Sequence, residues 1–135
     1  DCMIAVRRDS AAVQLIGLWW EDSQWFAAPD ATDSAQVCYN GCGTPTVWVD
    51  GVQLAGGTAV KRNTLAAALT VGDWHIMEFR DLNLSAWEAA RFGNYSGALF
   101  NGGRGDIMLY PSTTSTEDKD AARQWLADYY GVTLA

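Results

Sequence analysis

Apolar residues fall along this chain in short runs separated by Gly, Pro, Asn and Asp, a spacing that predicts strands and turns. Cys2 to Val6 is an uninterrupted apolar run ending at Arg7-Arg8, and Ala12 to Trp19 carries Val13, Leu15, Ile16, Leu18 and Trp19 without a charge. Both read as buried strands joined by the polar turn Arg8-Asp9-Ser10. Ser23 to Ala27 reads as a weaker strand before a loop from Ala28 to Asp33. Ser34 to Tyr39 and Thr46 to Leu54 are the next candidates, on either side of a Gly-rich turn at Asn40 to Pro45. Within the second, Asp50-Gly51 is a hairpin turn signal, because Gly tolerates positive φ.

Val60 to Leu69 interrupts this pattern: its Leu and Ala residues lie at helical intervals and predict one or two helical turns crossing the sheet edge. Asp73 to Arg80 returns to strand character. Alternation sets Trp74, Ile76 and Glu78 on one face and His75, Met77 and Phe79 on the other, so both faces are apolar and the strand is predicted to be central. Leu82 to Phe100, broken by Gly93 and Gly97, reads as short extended pieces. Asn101 to Asp106 reads as a turn, and Ile107 to Tyr110 as a last strand stopped by Pro111. From Ser115 to Gly131 the chain predicts a helix, with Ser115 or Thr116 as N-cap, Glu117, Asp118 and Asp120 at the positive end of its dipole, and Gly131 at its C-terminus. Ala121, Ala122, Trp125, Leu126, Tyr129 and Tyr130 form its apolar stripe. Trp48, Trp74, Ile76, Leu109 and Trp125 are expected to share a core between sheet and helix, and Trp87 is read as a core residue as well.

The 135 residues amount to one domain, and a 49% hydrophobic content is enough for a core. Nine Lys and Arg against 16 Asp and Glu leave a net charge of -7, which repels phosphate backbones, so nucleic acid is not an expected partner. The longest apolar run, Leu15 to Trp20, is strand-sized and far short of the ~20 residues of a membrane helix, so no membrane insertion is expected. The start at Asp1, without the pattern of a signal peptide, reads as a processed or excised portion of something longer. Three cysteines, Cys2, Cys38 and Cys42, make no even disulfide framework; Cys38 and Cys42 are spaced for a small disulfide-closed turn or a reduced pair. Two thiols and the single His75 are too few for a zinc site, and no cofactor is expected.

The order of motifs carries a resemblance. A Val49-Asp50-Gly51 turn is followed by a Leu/Ala-rich piece, the strand from Gly72 through Trp74-His75, Leu84-Ser85-Ala86-Trp87, Gly93-Asn94-Tyr95-Ser96-Gly97, the strand Gly105 to Tyr110, and an acid-capped helix ending at Tyr130-Gly131. From about Thr44 to Ala135 this resembles the C-terminal part of concanavalin-A-like, laminin-G-type jelly rolls, as found in phage virion proteins and bacterial surface proteins. The resemblance implies an all-β antiparallel jelly-roll sandwich with a C-terminal α-helix, a single domain over residues 1–135. The Leu-Trp-Leu-Asp-like strand and Asp-x-Ser-Gly-x-Gly turn usual in the N-terminal part of that family are missing, so the sandwich is expected to lack N-terminal strands. Cys2 to Val6 would then pair outside a minimal sandwich or lie at an interface. The family is mostly structural or ligand-binding. It implies a non-enzymatic virion surface component, such as a head decoration, spike or tail-fibre domain, that meets other virion subunits or its own copies and binds host-surface glycans. The alternative is a secreted, extracellular carbohydrate-binding module of a bacterial polysaccharide-degrading protein.

Candidate chemistry points the same way. Glycan-cleaving jelly rolls alternate carboxylates along one strand, whereas Glu21 and Asp22 are adjacent and Glu78 has no acid two residues away; these read as solvated groups, not a catalytic pair. His75 has no Ser or Cys in a nucleophile-elbow setting beside it and is expected to hydrogen-bond a neighbour within the sheet. Arg104-Gly105-Asp106 matches an adhesion triplet, but one placed at a strand entrance. For a glycan site the candidates are Trp25 and Tyr95, in polar or turn-rich surroundings, with Asp30 and Asn94. Asp30 and Asp33 are two acids where a related sandwich would place calcium, too few for a site on their own.

Overall fold

The computed structural model describes residues 1–11, 18–20, 24–25, 29–38, 43–83, 91–92, 94–95, 98–99 and 101–135. Their strands, in chain order, are β1 (Cys2–Arg8), β2 (Leu18–Trp20), β3 (Gln24–Trp25), β4 (Thr46–Val49), β5 (Val52–Gln53), β6 (Trp74–Arg80), β7 (Arg91–Phe92), β8 (Asn94–Tyr95), β9 (Ala98–Leu99) and β10 (Gly102–Leu109). Two α-helices are α1 (Arg62–Ala68) and α2 (Thr116–Tyr130), and a 3-10 turn, Gly57–Ala59, precedes the first. The main sheet is antiparallel throughout, in the order β10-β1-β6-β4-β5. β3-β2-β7 and β8-β9 form two smaller ladders. The fold is therefore mostly β, with one five-stranded antiparallel sheet and a C-terminal helix.

β1 is an interior strand of that sheet, paired with β6 on one side and β10 on the other, and Cys2, Met3, Ile4, Ala5 and Val6 are all wholly buried. This corrects the expectation that the first strand pairs outside the fold or lies at an interface. An unbroken apolar run suits a strand covered on both faces, and alternation divides its residues between two cores. Cys2, Ile4 and Val6 join Val47, Val49, Met77 and Phe79 against Leu65 and Leu69 on one face. Met3, Ala5 and Ile76 pack against Leu126 and Ala127 of α2 on the other. The central position and two-sided character expected for β6 are both observed.

Several boundaries differ from the expectation. α1 covers a face of the sheet instead of crossing its edge, because Leu65 and Leu69 reach the core containing Ile4 and Met77. Residues 34–38 form no strand; the Val37 N–H bonds Val60 O at 2.8 Å and the Arg62 N–H bonds Ala35 O at 2.9 Å, which ties this loop to the start of α1. Asn101 to Asp106 is no turn, since residues from Gly102 onward belong to β10. Gly103 and Gly105 serve there for lack of a side chain: a Cβ would stand 2.7 Å from Cη2 of Trp74 and 2.2 Å from Cζ of Tyr130. Between the pairs Ile4–Ile107 and Val6–Arg104, β10 has one residue more than β1, a β-bulge at Gly105-Asp106. The Tyr130 hydroxyl accepts from the bulged Asp106 N–H at 2.9 Å and donates to the Asp106 carboxylate at 2.8 Å. The Arg-Gly-Asp triplet is thus part of a strand.

Helix α2 begins where Ser115 Oγ accepts from the Asp118 N–H at 3.1 Å and ends at Gly131, φ 70°, as the sequence predicts. Its buried face is rotated from the expected stripe. Arg123, Leu126 and Ala127 point inward, while Trp125 is 52% and Tyr129 69% exposed. Leu109, expected in the core, is 50% exposed at the sheet edge. The cause of the rotation lies on β6. Glu78, 1% exposed, is no solvated carboxylate and requires a cation on the facing helix, which Arg123 supplies at 2.6 Å and 3.0 Å. Arg80 and the Tyr110 hydroxyl complete the cluster at 2.7 Å and 3.2 Å from Oε1, and burial together with the Glu78 charge pushes the Tyr110 phenol up from its ordinary range.

Candidate functional site

Three bends of the backbone meet at the start of β6. Asp50 and Gly51 have φ of 51° and 88°, the positive values a two-residue hairpin of the primed type requires, and they join β4 to β5. Gly72, φ 94°, turns the chain into β6 while its N–H bonds Arg8 O at 2.7 Å. Gly131 turns the chain out of α2, so that the segment 132–135 returns to the first bend, where the Ala135 N–H bonds Asp50 O at 3.0 Å.

The bends enclose a cavity of about 440 Å³. Asp50, Asp73, His75 and Thr133 supply its polar lining, and Trp74 and Tyr130 its aromatic wall. Asp50 is fixed on several sides. Its Oδ1 accepts from the Ile76 N–H at 2.8 Å, its Oδ2 lies 2.6 Å from His75 Nδ1, and its own N–H bonds Ile76 O at 2.9 Å. Asp50 is therefore the neighbour expected for His75. Nδ1 faces this carboxylate, and Nε2 is buried without a hydrogen-bond partner.

The aromatic wall continues onto the surface. Trp74 and Tyr130 have ring centroids 4.6 Å apart; Tyr130 meets Tyr129 edge-on at 5.0 Å; Tyr129 stacks on Trp125 at 5.6 Å with planes 17° apart. Four rings thus run from solvent to the cavity, and Arg7 sits 5.5 Å from the Trp74 ring centre. Flat apolar ring faces beside fixed carboxylates, an imidazole and a hydroxyl form a surface chemically suited to a polyhydroxylated ligand.

No family model, curated protein or solved structure matches the chain.

The residues singled out in the sequence lie elsewhere. Trp25 is in β3 and Asn94 and Tyr95 are in β8, strands of two different ladders, and their side chains are outside the described part. Glu21, Asp22, Cys42 and Trp87 are outside the described residues. Asp30, 9% exposed, lies in the loop before α1, where its carboxylate accepts from the Thr32 N–H and hydroxyl, each at 2.9 Å. Arg62 lies 3.7 Å from Asp30 and also pairs with Asp33, so a guanidinium stands between the two acids considered for calcium. Among the described residues no group of three or more His, Cys, Asp or Glu is placed to hold a metal ion, and no helix is long and apolar enough to cross a membrane. In the sequence Asp50 and Trp74 carry strong turn and strand signals, which mask their place in a site. Tyr130 belongs to the apolar stripe of α2, and only the fold brings it to Trp74.

Proposed function

We propose that this chain is a non-enzymatic surface domain of a virion, of the head-decoration, spike or tail-fibre kind, that recognises neutral glycans through the cavity and its aromatic strip. The observation that carries the glycan reading is the run of rings Trp125, Tyr129, Tyr130 and Trp74 leading into a pocket that holds Asp50 and Asp73. Sugar rings stack on such faces, and carboxylates accept from their hydroxyls. A net charge of -7 and an acid-lined cavity disfavour acidic glycans and leave neutral or N-acetylated sugars as the substrate class. Binding without turnover is supported by Asp50, both of whose oxygens are taken up by Ile76 and His75.

The jelly-roll reading is supported by the antiparallel main sheet and by the second ladder β3-β2-β7. In this reading the second sheet is reduced, since helices already pack on both faces of the first. The virion assignment rests on the order of motifs, and mass spectrometry of purified particles tests it: the chain should be present at a fixed copy number. Recovery only in a secreted polysaccharide-degrading protein would replace it with the carbohydrate-binding-module alternative.

The glycan reading is tested by calorimetry with maltohexaose, cellohexaose and chitohexaose. At least one should bind. Tyr129→Ala and Trp125→Ala should each weaken that binding by about 3- to 10-fold, the weight of one aromatic contact, with little change in the melting midpoint. Failure of all three sugars, or binding indifferent to both substitutions, would rule out this strip as the site.

A further inference from the structure

Hydrogen-bonding capacity is unevenly used around the cavity. The Asp50 carboxylate is committed to the fold, with Oδ1 on the Ile76 N–H at 2.8 Å and Oδ2 2.6 Å from His75 Nδ1. Tyr130 is committed as well, its hydroxyl accepting from the Asp106 N–H and donating to the Asp106 carboxylate. Asp73 and Thr133 line the same cavity and are exposed, and among the described residues no hydrogen bond or ion pair engages either side chain. The uncommitted side chains of the cavity therefore offer one carboxylate, an acceptor at both oxygens, and one hydroxyl.

Both groups are carried on backbone that is anchored on either side. Gly72, φ 94°, is tied to β1 by its N–H on Arg8 O at 2.7 Å. Trp74, on the other side of Asp73, has its ring centroid 4.6 Å from that of Tyr130, and its indole lies so close to Gly103 that a Cβ there would clash with it. Thr133 stands between Val132, whose N–H bonds Ala127 O at 2.8 Å, and Ala135, whose N–H bonds Asp50 O at 3.0 Å. Backbone held in this way before a ligand arrives loses little freedom when one binds.

We infer that Asp73 is the residue by which the cavity selects its sugar, and that Asp50 is a structural carboxylate. This rests on the glycan reading and deepens it. A carboxylate accepts through two oxygens side by side, so two adjacent donors match it. In a glucan unit these are the hydroxyls on carbons 2 and 3; in an N-acetylated unit they are the amide N–H and the 3-hydroxyl. Thr133, both donor and acceptor, is left for a third contact. Trp74, whose ring offers the stacking face, is the next residue along the chain, so one segment supplies both the stack and the polar contact. The sugar selected is one whose carbons 2 and 3 both bear unsubstituted donors.

The test is a cycle of variant and ligand, measured by calorimetry on the whole chain. The ligands are whichever of maltohexaose, cellohexaose and chitohexaose binds, and the same hexaose O-methylated at carbons 2 and 3, or at carbon 3 alone for chitohexaose. Asp73→Ala should weaken binding of the parent hexaose by at least about 10-fold, the weight of a hydrogen bond to a charged group, and leave the melting midpoint of the free protein unchanged. Methylation should weaken binding to wild type by a similar factor and to Asp73→Ala by much less. Binding that depends on Trp125 and Tyr129 but is untouched by Asp73→Ala would overturn the selecting role while leaving the strip as the site. Losses from substitution and methylation that simply multiply, or a lowered midpoint in Asp73→Ala, would overturn it likewise. No binding of any hexaose would remove the glycan reading and this inference together.

Discussion

Arg123 of α2 grips Glu78 of β6 through two contacts, Nη2 to Oε2 at 2.6 Å and Nε to Oε2 at 3.0 Å, with both side chains buried between helix and sheet. The same guanidinium reaches Asp120 at 2.8 Å. Arg80, itself over the Trp48 ring at 4.1 Å, holds the other carboxylate oxygen. The pair fixes how α2 is rotated on the sheet and hence which of its aromatics reach solvent.

Removing Arg123 leaves the buried Glu78 Oε2 without its cation and Arg80 alone to balance the carboxylate. Arg123→Met should lower stability by about 3–5 kcal/mol in urea unfolding, and Glu78→Gln combined with Arg123→Met should cost less than the single Arg123 change. A double variant at least as damaged as Arg123→Met would mean that hydrogen bonding, not charge, dominates the cluster.

Gly105 lies under the Tyr130 ring, where a methyl group has no room. Gly105→Ala should cost about 1–3 kcal/mol from overpacking. In a Tyr130→Ala background most of that cost should vanish, which a double-mutant cycle measures as coupling between the two positions. Strict additivity would show that the glycine serves the backbone and not the ring.

Asp30 provides a pH signature. Hydrogen bonds from the Thr32 N–H, then its hydroxyl and the Arg62 charge, hold the Asp30 carboxyl below its ordinary 3.8. A depressed folded-state value stabilises the protein above pH 3.8 and ceases to do so as pH falls through the folded value. The melting-midpoint difference between wild type and Asp30→Asn should be constant from neutral pH to about 5 and shrink below 3.8. A difference that grows on acidification would have the wrong sign.

Cys2 is wholly buried, and burial pushes its thiol up to about 12. Reaction needs both access and thiolate. Mass spectrometry after iodoacetamide treatment at neutral pH should find Cys2 unlabelled in the native chain and labelled in urea. Rapid native labelling would show that β1 leaves the centre of the sheet.

The alternation of Asp73 to Arg80, the Asp50-Gly51 turn and the caps of α2 were legible in the sequence because their causes are local: strand periodicity, a glycine's positive φ, and a serine that replaces a missing carbonyl. Position within the sheet was not. Cys2 to Val6 reads as buried, but only tertiary pairing sets it between β6 and β10. Asn101 to Asp106 reads as a turn because glycine is a turn residue when seen alone; Trp74 and Tyr130, distant in sequence, make a strand that needs glycine. Counting hydrophobicity on α2 brings Trp125 and Tyr129 inward and leaves Arg123 out. The fold reverses this because Glu78, buried on the opposing strand, attracts a cation more strongly than the core attracts another ring. The candidate site has the same origin: Asp50, Trp74, His75 and Tyr130 each obey local rules, and long-range packing alone brings them around one cavity.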